Sequence, residues 1–292
     1  MNTRRDFFKI TLGSLFLIDV VTLFGAETQS RTTWKIGICD WDLHATGRLT
    51  SFAIAKELGF EGVQVSYQPE GADSLADKTN RPKFLAAAKK SDVGIASFCM
   101  GLLNNRPLAT TSEAVDWVED CLNTMVEMNV DQVLLPFFGN ADLTHEGNIP
   151  PVIEKFKHLV PIVEKNKKIL AVESYLSAEE LLKLVEVVGS DAIKVYYDVR
   201  NCKNKKYDIF HEIELLGKNK LISQIHFKEN SHRLGEGDID FSKVCKTLEK
   251  IGYEGWIVVE SAAPGDWRES QIANAQFVKN LSRDNMRCNT KK

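Results

Sequence analysis

Ile169-Leu-Ala-Val-Glu173, Val195-Tyr-Tyr-Asp198, Ile222-Ser-Gln-Ile-His226 and Trp256-Ile-Val-Val-Glu260 are four short apolar runs, each ending in a carboxylate or an imidazole. Runs of this length, apolar on both sides and rich in β-branched residues, read as buried strands of a parallel sheet. Working outward, the same kind of run recurs at Trp34–Cys39, Gly62–Tyr67, Gly94–Cys99 and Asp131–Phe137, and the four quoted runs belong to expected strands at Ile169–Ser174, Ile193–Tyr197, which Asp198 directly follows, Ile222–Phe227 and Trp256–Glu260. Helical spacing fills the gaps at Leu49–Leu58, Arg81–Lys90, Ser112–Met128, Pro151–Asn166, Ala178–Val187, Tyr207–Leu216 and Phe241–Ile251, and resumes after the last strand at Glu269–Asn280. Each strand thus has a helix after it, which predicts an α/β protein, a single-domain (β/α)8 TIM barrel. A doubly wound open sheet would use the same alternation, but no glycine-rich phosphate loop follows the first strand.

Local punctuation agrees. Gly59 and Gly252 fall just past predicted helix ends, and Ser177-Ala-Glu-Glu180 has the form of a capping box. No linker or change of composition interrupts residues 34–284, so the barrel domain is placed at 31–292. The start differs in kind. Arg4-Arg5 precedes an apolar run from Ile10 to Phe24 that is broken by Asp19. This is the pattern of a twin-arginine export signal, so residues 1–30 are read as signal and short linker and the protein as periplasmic or otherwise exported. The run falls short of the roughly 20 apolar residues of a membrane span. No stable span is expected once the signal is removed, and an uncleaved anchor is the alternative.

Of the 292 residues 43% are hydrophobic and 26% charged, and 37 Lys and Arg against 40 Asp and Glu give a net charge of −3. That balance disfavours nucleic acid as a partner. Six cysteines, Cys39, Cys99, Cys121, Cys202, Cys245 and Cys288, show no CxxC pairing and are expected to be mostly buried thiols.

Catalytic groups in such barrels stand at the carboxyl ends of strands. Taken singly, a carboxylate there is as easily a helix cap, and a histidine a satisfied core residue. Four consecutive strands ending in Glu173, Asp198, His226 and Glu260 at matching depth are hard to obtain as independent caps. Together they make a mixed oxygen and nitrogen shell suited to one divalent metal, Mn²⁺ or Mg²⁺, and without it three converging carboxylates would repel. Lys228, two residues after His226, shares its inward side and is a candidate to hold a substrate oxygen.

The runs Leu170-Ala-Val-Glu173, Val195-Tyr-Tyr-Asp198-Val-Arg-Asn201, Gln224-Ile-His226-Phe-Lys228, Leu234-Gly-Glu-Gly237 and Gly252-Tyr-Glu-Gly-Trp256-Ile-Val-Val-Glu260 resemble the sugar phosphate isomerase/epimerase family, xylose-isomerase-like barrels that include the ketose 3-epimerases. The resemblance is tight over 169–261 and one of fold alone over 34–140. It implies that Glu173, Asp198, His226 and Glu260 are the metal ligands, with Glu173 and Glu260 doubling as the acid/base pair. The implied activity is sugar isomerisation or epimerisation through a cis-enediolate, on a small carbohydrate. Two substrate-binding positions depart from the family: Asn201 stands where several epimerases have His, and His232-Arg233 only approximates their Arg.

The same proton abstraction serves a lyase or dehydratase on 3-keto sugars, 3-keto glycosides or inososes, and a non-catalytic periplasmic carbohydrate-binding protein is the alternative of another class. Metal-dependent apurinic endonucleases share the barrel but need histidines on early strands, where this chain has Val65-Ser-Tyr67 and Ser97-Phe-Cys-Met100. Asp40, Asp42 and His44 imitate a second ligand cluster, although a polar rim loop is the commoner use of such residues. Trp41 and Trp267 could stack on a sugar ring or pack under a loop. A homo-oligomer is compatible with all of this.

Overall fold

The computed structural model describes residues 34–261 and 264–288. The proposed export signal lies outside the described residues. Eight parallel strands, β1 (Ile36–Cys39), β2 (Gly62–Ser66), β3 (Gly94–Cys99), β4 (Gln132–Phe137), β5 (Ile169–Ser174), β6 (Ile193–Asp198), β7 (Ile222–Phe227) and β8 (Ile257–Val259), close in sequence order into a barrel. The last strand pairs back onto the first, Ile36 opposite Ile257. Around them lie α1 (Ser51–Leu58), α2 (Arg81–Ser91), α3 (Ala114–Met128), α4 (Ile149–Lys165), α5 (Ala178–Val188), α6 (Val199–Asn204), α7 (Ile209–Lys218), α8 (Phe241–Lys250) and α9 (Trp267–Cys288). Among the described residues no helix is long and apolar enough to cross a membrane.

The main apolar core lies between strands and helices, built from outward-facing residues such as Val63, Val65, Val133, Leu170, Val172 and Val195. The barrel interior holds only small clusters, Cys99 with Leu134, Ala171 and Tyr196, and Cys39 with Ala96 and Val258. Trp256 plugs the amino-terminal end. A Cβ on Gly62 would come within 2.4 Å of its ring, so β2 can pass there only as glycine. The expected helix signals are present: Ser177 and Glu180 form a reciprocal capping box, and Gly59 takes a left-handed φ of 89° past α1.

Three expectations are adjusted. Strand β8 is shorter than Trp256–Glu260, although the Glu260 amide still donates to the Phe227 carbonyl and carries the pairing one residue further. The last helix starts at Trp267 rather than Glu269 and runs past Asn280. Helix α6 was not expected at all. It exists because Asp198 Oδ1 accepts from the Arg200 and Asn201 amides, both at 2.8 Å, and so caps a turn of chain immediately after β6. The five described cysteines are buried and free.

Candidate metal centre and active site

The inward rows of four adjacent strands converge at the carboxyl end of the barrel. Asp198 pairs in register with His226, and Pro136 with Glu173. The ligand atoms of Glu173, Asp198, His226 and Glu260 lie within 4.8 Å of one another, and among the described residues they are the one such group of three or more. His226 Nδ1 is 3.2 Å from Glu260 Oε2, 3.4 Å from Glu173 Oε1 and 3.9 Å from Asp198 Oδ2. Asp198 and His226 are buried at the floor, whereas Glu173 and Glu260 line the cavity above them.

Asp198 serves two purposes that the sequence presents as alternatives. Its Oδ1 caps α6, while its Oδ2 is buried with no hydrogen bond and only longer ion-pair contacts, to Lys228 Nζ at 3.5 Å and His226 Nδ1 at 3.9 Å. A buried carboxylate oxygen is expensive to leave unpaired, and a cation held by the four residues would satisfy it. The donor set of three carboxylates and one imidazole nitrogen also fits a divalent ion.

Electrostatics point the same way. Burial drives the Asp198 carboxyl up to about 7, with Lys228 opposing and the Glu260 and Glu173 charges adding to the rise. Burial alone would lower the His226 pKa, but the Glu260 and Glu173 carboxylates outweigh it and push it up to about 10. Glu260 is half-buried, and the desolvation that would raise its pKa is outweighed by His226 and Lys228, which hold it ionised, down to about 2. The groups titrate as a set. Lys228 Nζ stands 3.0 Å from Glu260 Oε2 and 3.5 Å from Asp198 Oδ2, so it shares the cluster's excess negative charge with the imidazole.

Loading a divalent ion here requires His226 to give up its Nδ1 proton and Asp198 to be ionised. At neutral pH binding of the ion should therefore release protons. Affinity should rise with pH, steeply below about 7 where both groups must deprotonate and less steeply from there to about 10. Calorimetric titration of Mn²⁺ in buffers of different ionisation enthalpy measures this directly, and binding without proton release would mean that His226 is not a ligand.

Above the floor lies an open cavity of about 690 Å³. Glu173, Tyr175, Asn201, Lys228 and Glu260 form its β5–β8 side. The β1–β4 side is formed by Trp41, Gln68, Leu102, Asn104, Phe138 and other residues without charge. Asn201 Nδ2 donates to Glu173 Oε1 at 3.4 Å, so this expected substrate residue faces the site. So does Lys228.

His232 and Arg233 are placed elsewhere. Arg200 pairs with the buried Glu229 and with Asp238, which ties the segment after β7 down against α6. The segment then packs on α9: Leu234 is buried, its amide donates to Asn274 Oδ1, and Arg233 Nε donates to Ser270 Oγ. His232 is left exposed to solvent, and neither residue lines the cavity.

Trp41 lines the cavity and meets the His226 ring edge to face, while Trp267 packs on His44. The imitation cluster after β1 does not converge on a metal position. Asp40 is taken up by the Gly47 amide and by the Ser66 amide and hydroxyl, and His44 by Trp267.

Fold and site together define a sugar-isomerase type of barrel. The model of the xylose isomerase-like TIM barrel family matches residues 52–281, and the chain belongs to that family. It is 25% identical over 234 residues, 71% of this chain and 81% of the relative, to "Putative L-ribulose-5-phosphate 3-epimerase SgbU" of Escherichia coli (strain K12). Among solved structures, D-psicose 3-epimerase of Clostridium cellulolyticum H10 superposes with a TM-score of 0.69 at 18% identity, over 85% of this chain and 98% of that one. The 3-keto-D-glucoside 4-epimerase YcjR of E. coli gives 0.69 at 14%, over 85% and 100%. These relatives are sugar epimerases, and at such identities the two structures speak for the fold.

Proposed function

We propose that this protein is an exported, metal-dependent sugar epimerase or aldose–ketose isomerase that works by removing a proton beside a carbonyl. The observation that carries the reading is the layering of the site. Glu173 and Glu260 reach the cavity from strands three steps apart, over a floor of Asp198 and His226. A divalent ion held by these four residues would act as a Lewis acid toward the sugar carbonyl and its neighbouring hydroxyl. Glu260, whose carboxylate Lys228 Nζ pairs at 3.0 Å, takes the carbon-bound proton from one face and leaves a cis-enediolate. Glu173 delivers a proton to the opposite face to invert that carbon, and the reverse reaction exchanges the two roles. Return of the proton to the adjacent carbon gives isomerisation instead.

The cavity also argues for an unphosphorylated substrate. Phosphate is normally held by arginine, free lysine or backbone amides at a helix start. Among the described residues Lys228 is the one cation in the cavity lining, and it is engaged by Glu260 and Asp198. A sugar would instead lie along neutral amide and aromatic groups.

The test is proton exchange in deuterated water, followed by NMR, on protein stripped of metal and reloaded with Mn²⁺ or Mg²⁺, with free ketoses, 3-keto glycosides and sugar phosphates as substrates. Metal-dependent deuterium uptake beside the carbonyl of an uncharged sugar is expected, with an epimer or isomer as product. An unsaturated product would make the protein a lyase, and absence of exchange from metal-loaded protein would make it a binding protein.

A further inference from the structure

Behind His226 the barrel interior holds polar side chains where packed apolar layers are the rule. Gln64, Ser97 and Gln224 are fully buried, and strand register sets Gln64 between Cys39 and Ser97. They are joined in one run of hydrogen bonds whose direction is fixed from its far end. The Ala96 carbonyl can only accept, so Gln224 must present Nε2 to it, at 3.1 Å. Gln224 Oε1 therefore faces Ser97 Oγ at 2.7 Å, and the hydroxyl must donate. The Ser97 oxygen then receives Gln64 Nε2 at 3.0 Å, which turns Gln64 Oε1 toward the Cys39 thiol at 3.3 Å and His226 Nε2 at 3.0 Å. An amide oxygen only accepts, and the Cys39 thiol, 3.5 Å from Nε2, has Gln64 Oε1 as its nearer acceptor at 3.3 Å, so His226 carries hydrogen on Nε2 and its neutral ring has its lone pair on Nδ1, the atom facing the three carboxylates.

We infer that Gln64, held in orientation by Ser97 and Gln224, is a positioning residue that fixes the His226 tautomer so that Nδ1 is available to a metal. The inference rests on the metal reading of the site. Were the Gln64 amide reversed, its NH2 would face Nε2 and force the proton onto Nδ1. That arrangement satisfies the carboxylates but leaves no lone pair for a cation. The Ala96 carbonyl, four hydrogen bonds from the ring, is what excludes it.

The experiment compares the parent protein with Gln64→Met and Ser97→Ala, each checked for fold by circular dichroism and thermal unfolding. Mn²⁺ affinity is read by electron paramagnetic resonance, and the His226 tautomer by ¹⁵N NMR of the Mg²⁺-loaded protein. The parent should show a protonated Nε2 and a metal-shifted Nδ1. Gln64→Met should bind Mn²⁺ roughly 10–100-fold more weakly, the usual effect of losing the partner behind a metal-bound histidine. Ser97→Ala, a small change that frees the Gln64 amide to turn, should weaken binding less and leave a fraction of Nδ1 without the metal shift at the Mg²⁺ concentration that saturates the parent, and it decides the matter if Gln64→Met does not fold. Folded variants with parental affinity and an unchanged ¹⁵N pattern would overturn the inference alone. A parent protein that binds no Mn²⁺ would overturn the metal reading and the inference with it.

Discussion

Glu260→Gln is expected to lower metal-dependent deuterium uptake by roughly 10²–10⁴-fold, the range typical of a lost general base, while the protein still binds metal. The amide keeps an oxygen where Oε2 now faces Lys228 at 3.0 Å and His226 Nδ1 at 3.2 Å, so the side chain can remain in place. It loses the capacity to accept a proton. In the metal-free protein the two cationic groups beside it hold the carboxylate it replaces in the ionised form, and among the described residues Glu173 is the one other carboxylate in the cavity lining. Measuring exchange together with metal content separates the two roles assigned to Glu260. Undiminished exchange would remove Glu260 from the proton-transfer step, and loss of metal in step with activity would leave it a ligand only.

The barrel and its four converging residues were legible because both depend on short-range pattern. A strand alternates its side chains, so Ile169, Ala171 and Glu173 share one side, as do Tyr196 with Asp198 and Gln224 with His226. A polar residue closing such a row must come to the barrel mouth. The same rule could have singled out Gln224, two residues before His226, and Gln64 in Gly62-Val-Gln-Val-Ser66. What it could not supply was their connection, since Ser97 and Gln224 are brought together across the barrel from positions 127 residues apart. The rim was less legible still. Asn201 reaches the site because Asp198 starts a helix there, and Arg233 is drawn away because the Arg200–Glu229 pair and α9 govern its loop. Those placements follow from tertiary packing, which leaves no periodic trace in the chain. Asp198 shows the limit of weighing cap against ligand as rivals, since Oδ1 caps α6 and leaves Oδ2 facing the cluster.

His226→Ala should act first on the metal and on the stability of the metal-free protein, and only through them on turnover. Removing one of four donors should lower Mn²⁺ affinity by more than the roughly 10–100-fold that follows from losing a residue behind a ligand. Without metal the imidazolium is the innermost positive charge among Glu173, Asp198 and Glu260, and its removal leaves Lys228 alone to balance them. Breaking a buried charge cluster on one side costs about 3–5 kcal/mol in other proteins. Part of that should be relieved by protonation of Asp198, whose carboxyl burial already drives upward. The metal-free variant should therefore unfold at lower denaturant than the parent, and the difference should shrink as pH falls below about 7 and the carboxyls take up protons. The same titration in the presence of Mn²⁺ should widen the gap, because the parent binds the ion more tightly and gains more from it. Equal metal content in variant and parent would count against His226 as a ligand, whereas a gap that stays constant with pH would mean that its place among the carboxylates is steric and not electrostatic.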